Sequence, residues 1–366
     1  MKKPIILILT LALALLTACG SKGANTGITA TTNPPTLTDS GTESGNLGED
    51  TETTALDPNT DTPNPNAGTT EADTPPVPAT VYMTTDLSPK GLQAVYDALG
   101  IKPTAEDKVG VKVSTGEPPA SNYLRQELIG DFVKGLGGTY LECNTIFGTQ
   151  RASFAMHYQV AKDHGFQPIV LMDDGGELKL PVDGGLRLKT DVVGTHIGDF
   201  NFHVVLSHFK GHPMGGYGGA LKNTSVGYAS AKGKSFIHTA GKDGTQIYGG
   251  SQDAFLESMA DAAKSVVQYV RSLERGQIIY INVMNRLSID CDCMGNPAEP
   301  DIHDIGILAS SDPVALDRAC LDLIYKAKGN EAFVQRVESL NGAHVMEAAE
   351  QIGLGTRSYA LVSVDD

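Results

Sequence analysis

The sequence predicts an α/β domain, a mostly parallel sheet flanked by helices, carried behind a disordered tether. Three observations predict it. From Val81 onward, apolar strand-like runs alternate with helical segments, the order expected of parallel βαβ construction. The helices carry start and stop residues where the pattern changes. The stretch before them, residues 19–80, is built of Thr, Pro, Asn, Gly and acid, with few large apolar residues.

Lys2 and Lys3 form a short basic start, and Pro4 through Leu16 is apolar. That run is too short for an ordinary membrane span, and Leu16-Thr17-Ala18-Cys19-Gly20-Ser21 follows at once. This segment resembles the lipobox of bacterial lipoproteins, which implies removal of residues 1–18 and lipidation of Cys19. The plainer alternative is an ordinary signal peptide with a chance cysteine. Lipidation would anchor the chain to the cell membrane on its extracytoplasmic face, each buried methylene adding roughly 0.8 kcal/mol.

The tether at 19–80 cannot bury enough surface to offset its conformational entropy, so disorder is expected. Nine acidic residues against Lys22 give it a charge of −8, out of −15 for the whole chain. With +2 in the signal, residues 81–366 carry −9. Such acidity excludes nucleic acid as a natural partner. It leaves the membrane, through Cys19, and a small-molecule or metal ligand.

Within the domain, Ser88-Pro89 caps a helix that Gly100 ends, and Lys108–Ser114 reads as a strand. Helices are expected over Leu124–Gly135 and Ala152–His164. Strands are expected at Thr139–Asn144, Pro168–Met172 and Phe202–Phe209. Asp253–Glu274 is the longest amphipathic helix, and Gln277–Met284 the strand after it. Ile305–Ala309 leads into Ser311-Asp312-Pro313, a capped helix start; two helices and a strand at Tyr359–Val364 follow.

Open sheets of this kind bind ligands beyond the carboxyl ends of their strands, and three segments there carry reactive groups. His208, Lys210 and His212 lead into Gly215-Gly216-Tyr217-Gly218-Gly219, then Lys222 and Asn223. Gly211 and Pro213 place the two histidines in a loop, glycines let backbone approach a ligand closely, and Lys222 and Asn223 could meet an anion. A turn-rich connection with exposed histidines is the bland alternative. Cys291 and Cys293, two apart in extended chain, share a face and suit a soft metal, with Asp290 or His303 as further ligands. A local disulfide or two buried thiols are the alternatives. In the third segment Asp312 reads as an N-cap, Asp317 as exposed and Cys320 as core. Cys143 reads as a core thiol, and Asp173-Asp174 as a turn.

His208–Asn223, Asp290–Cys293, Asp304–Leu323 and Asn122-Tyr123-Leu124-Arg125 together resemble domain-of-unknown-function family 362, over roughly residues 105–365. The resemblance implies an α/β fold. Many members carry an inserted ferredoxin-like segment binding [4Fe–4S] clusters. Here the corresponding stretch, between His238 and Asp253, has no cysteine, so a ferredoxin-type cluster is not expected. Three functions remain in view: a redox or metal-dependent enzyme, a non-catalytic receptor for a metal or small anion, and a structural module held by a disulfide.

Overall fold

The computed structural model describes residues 77–365 apart from residue 243. The expected export signal, Cys19 and the tether as far as residue 76 lie outside the described residues. The fold opens with β1 (Ala79–Thr84), α1 (Pro89–Ala98), β2 (Val109–Lys112), α2 (Gln126–Gly135), β3 (Thr139–Glu142), α3 (Phe154–Asp163) and β4 (Ile169–Leu171). A hairpin of β5 (Glu177–Pro181) and β6 (Thr190–Gly194) leads to β7 (Phe202–His208). A second hairpin, β8 (Lys210–His212) and β9 (Gly216–Gly218), precedes α4 (Ala220–Thr224), α5 (Ala231–His238) and α6 (Gln252–Ser272). Then come β10 (Gln277–Met284), β11 (Gly306–Ser310), α7 (Pro313–Lys326), α8 (Glu331–Ser339), α9 (His344–Gln351) and β12 (Tyr359–Ser363).

Local chemistry sets these boundaries. Ser88 Oγ accepts the backbone N–H groups of Lys90 and Gly91, and Pro89 supplies the helical φ of the first turn. Gly100, at φ +67°, takes the left-handed turn that ends α1. Asp312 caps α7 as expected, accepting from Val314 and Ala315.

Eight strands form one sheet in the order β12-β1-β11-β10-β7-β2-β3-β4. The run from β10 to β4 is parallel throughout, as is β1 with β12. β11 runs antiparallel to both its neighbours. Side chains alternate across the sheet, so β10 buries both faces. Ile279, Ile281 and Val283 join a core with Leu92, Ile129 and Phe132, whereas Ile278, Tyr280 and Met284 join one with Val266 and Leu316. Each such side chain contributes about 1.5–3 kcal/mol on burial. Among the described residues no helix is long and apolar enough to cross a membrane.

Two expectations change. His208 and His212 lie at strand ends rather than in an open loop, because β8 and β9 pair from Lys210↔Gly218 to His212↔Gly216. The glycines serve that packing. A Cβ on Gly211 would sit 2.3 Å from Ile289 O, and one on Gly216 would sit 2.9 Å from Gly342 Cα. They admit the protein's own backbone. Asp317 is fully buried rather than exposed: it accepts from Ala220 N (2.7 Å), Leu221 N (2.9 Å) and Asn282 Nδ2 (2.8 Å), and so fixes the start of α4.

The topology creates a crevice. From β2 the chain moves outward through β3 to β4, whereas from β7 it moves the other way to β10. The switch lies between β2 and β7, at whose carboxyl ends such sheets leave room for a ligand.

Candidate functional site

A cavity of about 100 Å³ lies at that switch point. Since a water molecule needs roughly 10–15 Å³ of such space, it has room for a small molecule. Its floor is the ends of the parallel strands: Lys112 at the end of β2 with Ser114 beyond it, Glu142 at the end of β3 with Cys143 beyond it, and His208 at the end of β7. The β8–β9 hairpin and α4 contribute Lys210, His212, Lys222 and Asn223; α5 contributes Lys234 and His238; Cys291 and Cys293 complete the wall. The two segments some 80 positions apart are joined by Asp292, which is buried. Its Oδ1 is 2.8 Å from His208 Nδ1 and its Oδ2 is 2.9 Å from Lys210 Nζ. Burial raises the Asp292 carboxyl, but Lys210 and His208 outweigh it and hold it far below the usual carboxylate range. His208 Nε2 donates to Asn285 O at 2.7 Å, so both its ring nitrogens face oxygens.

Beneath this lies a second charge network. Lys112 Nζ donates to Val113 O (2.7 Å), Glu142 Oε2 (3.0 Å) and Asn223 Oδ1 (3.1 Å). Arg151 reaches Glu142 Oε1 at 3.3 Å and Glu117 Oε2 at 3.1 Å. Burial acts against the Glu142 charge, but Lys112 and Arg151 prevail and bring its carboxyl down to about 2. Asn223 also donates to Ser207 Oγ, so its amide is used to hold Lys112.

The cations outnumber the anions. Lys112, Arg151, Lys210, Lys222 and Lys234 line the cavity, against the single carboxylate of Glu142. Lys222 and Lys234 have no carboxylate within ion-pair distance among the described residues; Lys234 Nζ donates to Ala229 O at 2.6 Å. Lys222 Nζ lies 4.0 Å from Cys291 Sγ. Burial works against the Lys222 charge, but Cys291 and Cys293 outweigh it and hold the ammonium above the usual lysine value.

All the described cysteines are free thiols. Cys291–Met294 is a turn closed by Met294 N–H on Cys291 O (2.9 Å), and Cys293 N–H points at Cys291 Sγ (3.4 Å). The Cys293 S–H bond to Cys291 does most to lower the Cys291 thiol well below its ordinary value. Burial opposes this, and Lys222 and His212 reinforce it. Cys293, the donor, moves the opposite way. Ligand atoms of His212, Cys291 and Cys293 all lie within 4.8 Å of one another, a group that could hold a metal ion.

Two of the three cavity imidazoles, His212 and His238, differ in tautomer. His212 Nδ1 accepts the N–H groups of Met214 (3.2 Å) and Gly215 (2.9 Å), which places its own proton on Nε2. A histidine metal ligand ordinarily carries its proton on the nitrogen away from the metal. In this arrangement His212 is a donor to Cys291, which leaves the two sulphurs as the atoms of the group that could hold a metal. His238 is the reverse: Nδ1–H donates to Lys234 O at 2.6 Å, leaving an Nε2 lone pair. Burial pushes its pKa down to about 4, so it is neutral at pH 7.

Thus the structure brings His208, Lys210, His212, Lys222, Asn223, Cys291 and Cys293 to one cavity. It does not bring Asp290 or His303 there. Asp290 Oδ2 accepts Ala298 N–H (3.0 Å) and Oδ1 lies 3.7 Å from Arg336, on the far side of the turn, while His303 is exposed. Sequence reasoning passed over Lys112, Glu142, Lys234, His238 and Asp292 as site residues. For Lys112 and Glu142 a signal existed: a charged residue at the carboxyl end of an otherwise apolar strand.

No curated protein matches the sequence. Among solved structures, the lactate racemase apoprotein from Thermoanaerobacterium thermosaccharolyticum aligns at 14% identity and a TM-score of 0.38, covering 67% of this chain and 57% of that one. A protein from Thermotoga maritima aligns at 13% identity and a TM-score of 0.35, covering 72% of this chain and 58% of that one. The chain therefore spans less than two thirds of either structure's own length. The family model described as domain of unknown function (DUF362) matches residues 109–322, more than half of the chain, from β2 into α7. The chain belongs to that family.

Proposed function

We propose that the domain binds a small anion, a phosphate or a short carboxylate, in the cavity between β2 and β7, with the Cys291–Cys293 pair in contact with it. The observation that carries this reading is a pair of lysine side chains, buried Lys234 and half-buried Lys222, that line the cavity without a carboxylate partner among the described residues. A buried, unpaired charge costs several kcal/mol, which an anionic ligand would recover. Titration calorimetry with inorganic phosphate and with succinate tests it. Saturable binding of either is expected, weakened at least about tenfold in Lys222→Met and Lys234→Met through loss of one close charge pair. No binding of either anion, or equal affinity in the variants, refutes it.

A second reading, a soft metal ion on the two sulphurs, is favoured by their lying within 4.8 Å of each other. Metal content of protein purified without chelator, compared between wild type and Cys291→Ser, separates the two. The lipobox-like Leu16–Gly20 segment supports a lipid-anchored, extracytoplasmic protein. The mass of the mature N-terminus in wild type and Cys19→Ala tests that part.

A further inference from the structure

We infer that Cys291 and Cys293 form a dithiol that exchanges with small anionic disulfides, Cys291 attacking and Cys293 resolving. This rests on the anion-binding reading of the same cavity and names the substrate class it would take. Three features carry it. Both sulphurs line the cavity, and neither is bonded to another cysteine. The two sulphurs lie within 4.8 Å of each other, in the one turn that the Met294 N–H bond to Cys291 O closes. The two sulphurs are not equivalent: Cys293 N–H and Lys222 Nζ are directed at Cys291 Sγ, and the pinned tautomer of His212 turns a third donor toward it. These contacts converge on Cys291 Sγ, and that asymmetry assigns Cys291 the attacking role and Cys293 the resolving one.

The exchange balances without another reactant. The Cys291 thiolate attacks one sulphur of a disulfide RSSR. A bond forms between Cys291 Sγ and that sulphur, the S–S bond breaks, and RS⁻ leaves. Cys293 then loses its proton to the departed thiolate and attacks Cys291 Sγ, expelling the second RS⁻ and closing the Cys291–Cys293 bond. Two electrons pass from the cysteine pair to the small disulfide, and the products are one RSH and one RS⁻. With carboxylates on R, Lys222 and Lys234 would hold the substrate against the pair.

The test uses dithiodiglycolate, a compact dianionic disulfide, and bis(2-hydroxyethyl) disulfide, a neutral one of similar size. Mass spectrometry follows the loss of two hydrogens mapped to the peptide holding both cysteines. In the native protein the dianion is expected to react at least about tenfold faster than the neutral reagent. In the urea-unfolded chain the order should reverse, because a free thiolate repels a dianion. Cys293→Ser should stop at a single mixed disulfide on residue 291, and Cys291→Ser should form none in the same time. A native chain in which no Cys291–Cys293 bond forms, or in which the neutral reagent is as fast, overturns the inference; this wild-type comparison needs no variant to fold. If phosphate still binds the Cys291→Ser/Cys293→Ser protein while exchange fails in wild type, the dithiol is refuted and the anion site stands.

Discussion

Replacing Asp292 by Asn removes the charge that ties the β8–β9 hairpin to the cysteine turn. The carboxylate is fully buried and meets two donors, His208 Nδ1 at 2.8 Å and Lys210 Nζ at 2.9 Å. The amide keeps the volume but can accept from only one of them, and it turns its own N–H groups on the other. Breaking a buried ion pair from one side costs about 3–5 kcal/mol, because the remaining cation stays desolvated. At about 2–4 °C per kcal/mol for a large domain, the midpoint should fall by roughly 10 °C. Urea unfolding at pH 7.5, followed by far-UV circular dichroism, measures the loss. The pH dependence supplies the sign. Asp292 titrates far below its unfolded value, so its stabilisation is present above about pH 4 and is lost as pH falls further. The gap between wild type and variant should therefore narrow as pH falls below about 4. A loss under about 1 kcal/mol, or a gap that grows in acid, would refute the idea that Asp292 holds both His208 and Lys210.

Two other predictions concern the scaffold. Asp191 is buried against Ser265 Oγ and Val192 N–H, and burial raises its carboxyl to about 7. Its ionisation in the folded state therefore costs stability progressively from about pH 4 to pH 7. Asp191→Asn should be stabilising above pH 7, by up to about 4 kcal/mol, and neutral near pH 4; parallel pH profiles for the two proteins would contradict this. Gly211→Ala places a Cβ 2.3 Å from the Ile289 carbonyl and should cost about 1–3 kcal/mol in urea unfolding, whereas unchanged stability would show that the hairpin does not seat on that strand of chain.

The parallel core was legible because the elements that build it are local: caps at Ser88 and Asp312, and apolar runs such as Gln277–Met284. The β5–β6 hairpin and the antiparallel seat of β11 were not, since pairing across the sheet is decided by partners far away in sequence. The site was legible in its glycine- and cysteine-bearing halves. What the chain order could not show was which charges oppose each other. Asp292 and Asp290 are alike in sequence, yet one faces His208 and the other Arg336. Asp317 did carry a cue, lying four and seven residues before the buried Leu321 and Ile324 on the inward face of α7. Lys234 carried a weaker cue, lying three residues before the buried Ile237 in the short helix α5.

Whether cations and sulphurs make one site is decided by a protection experiment. Native protein is treated with iodoacetamide, a neutral alkylating reagent, with and without inorganic phosphate at fixed ionic strength, and the modification of Cys291 is timed by peptide mass. Phosphate should slow the labelling of Cys291 severalfold in wild type and leave it unchanged in Lys222→Met/Lys234→Met. Labelling of Cys291 that is indifferent to saturating phosphate in the wild-type protein would mean that the anion sits elsewhere.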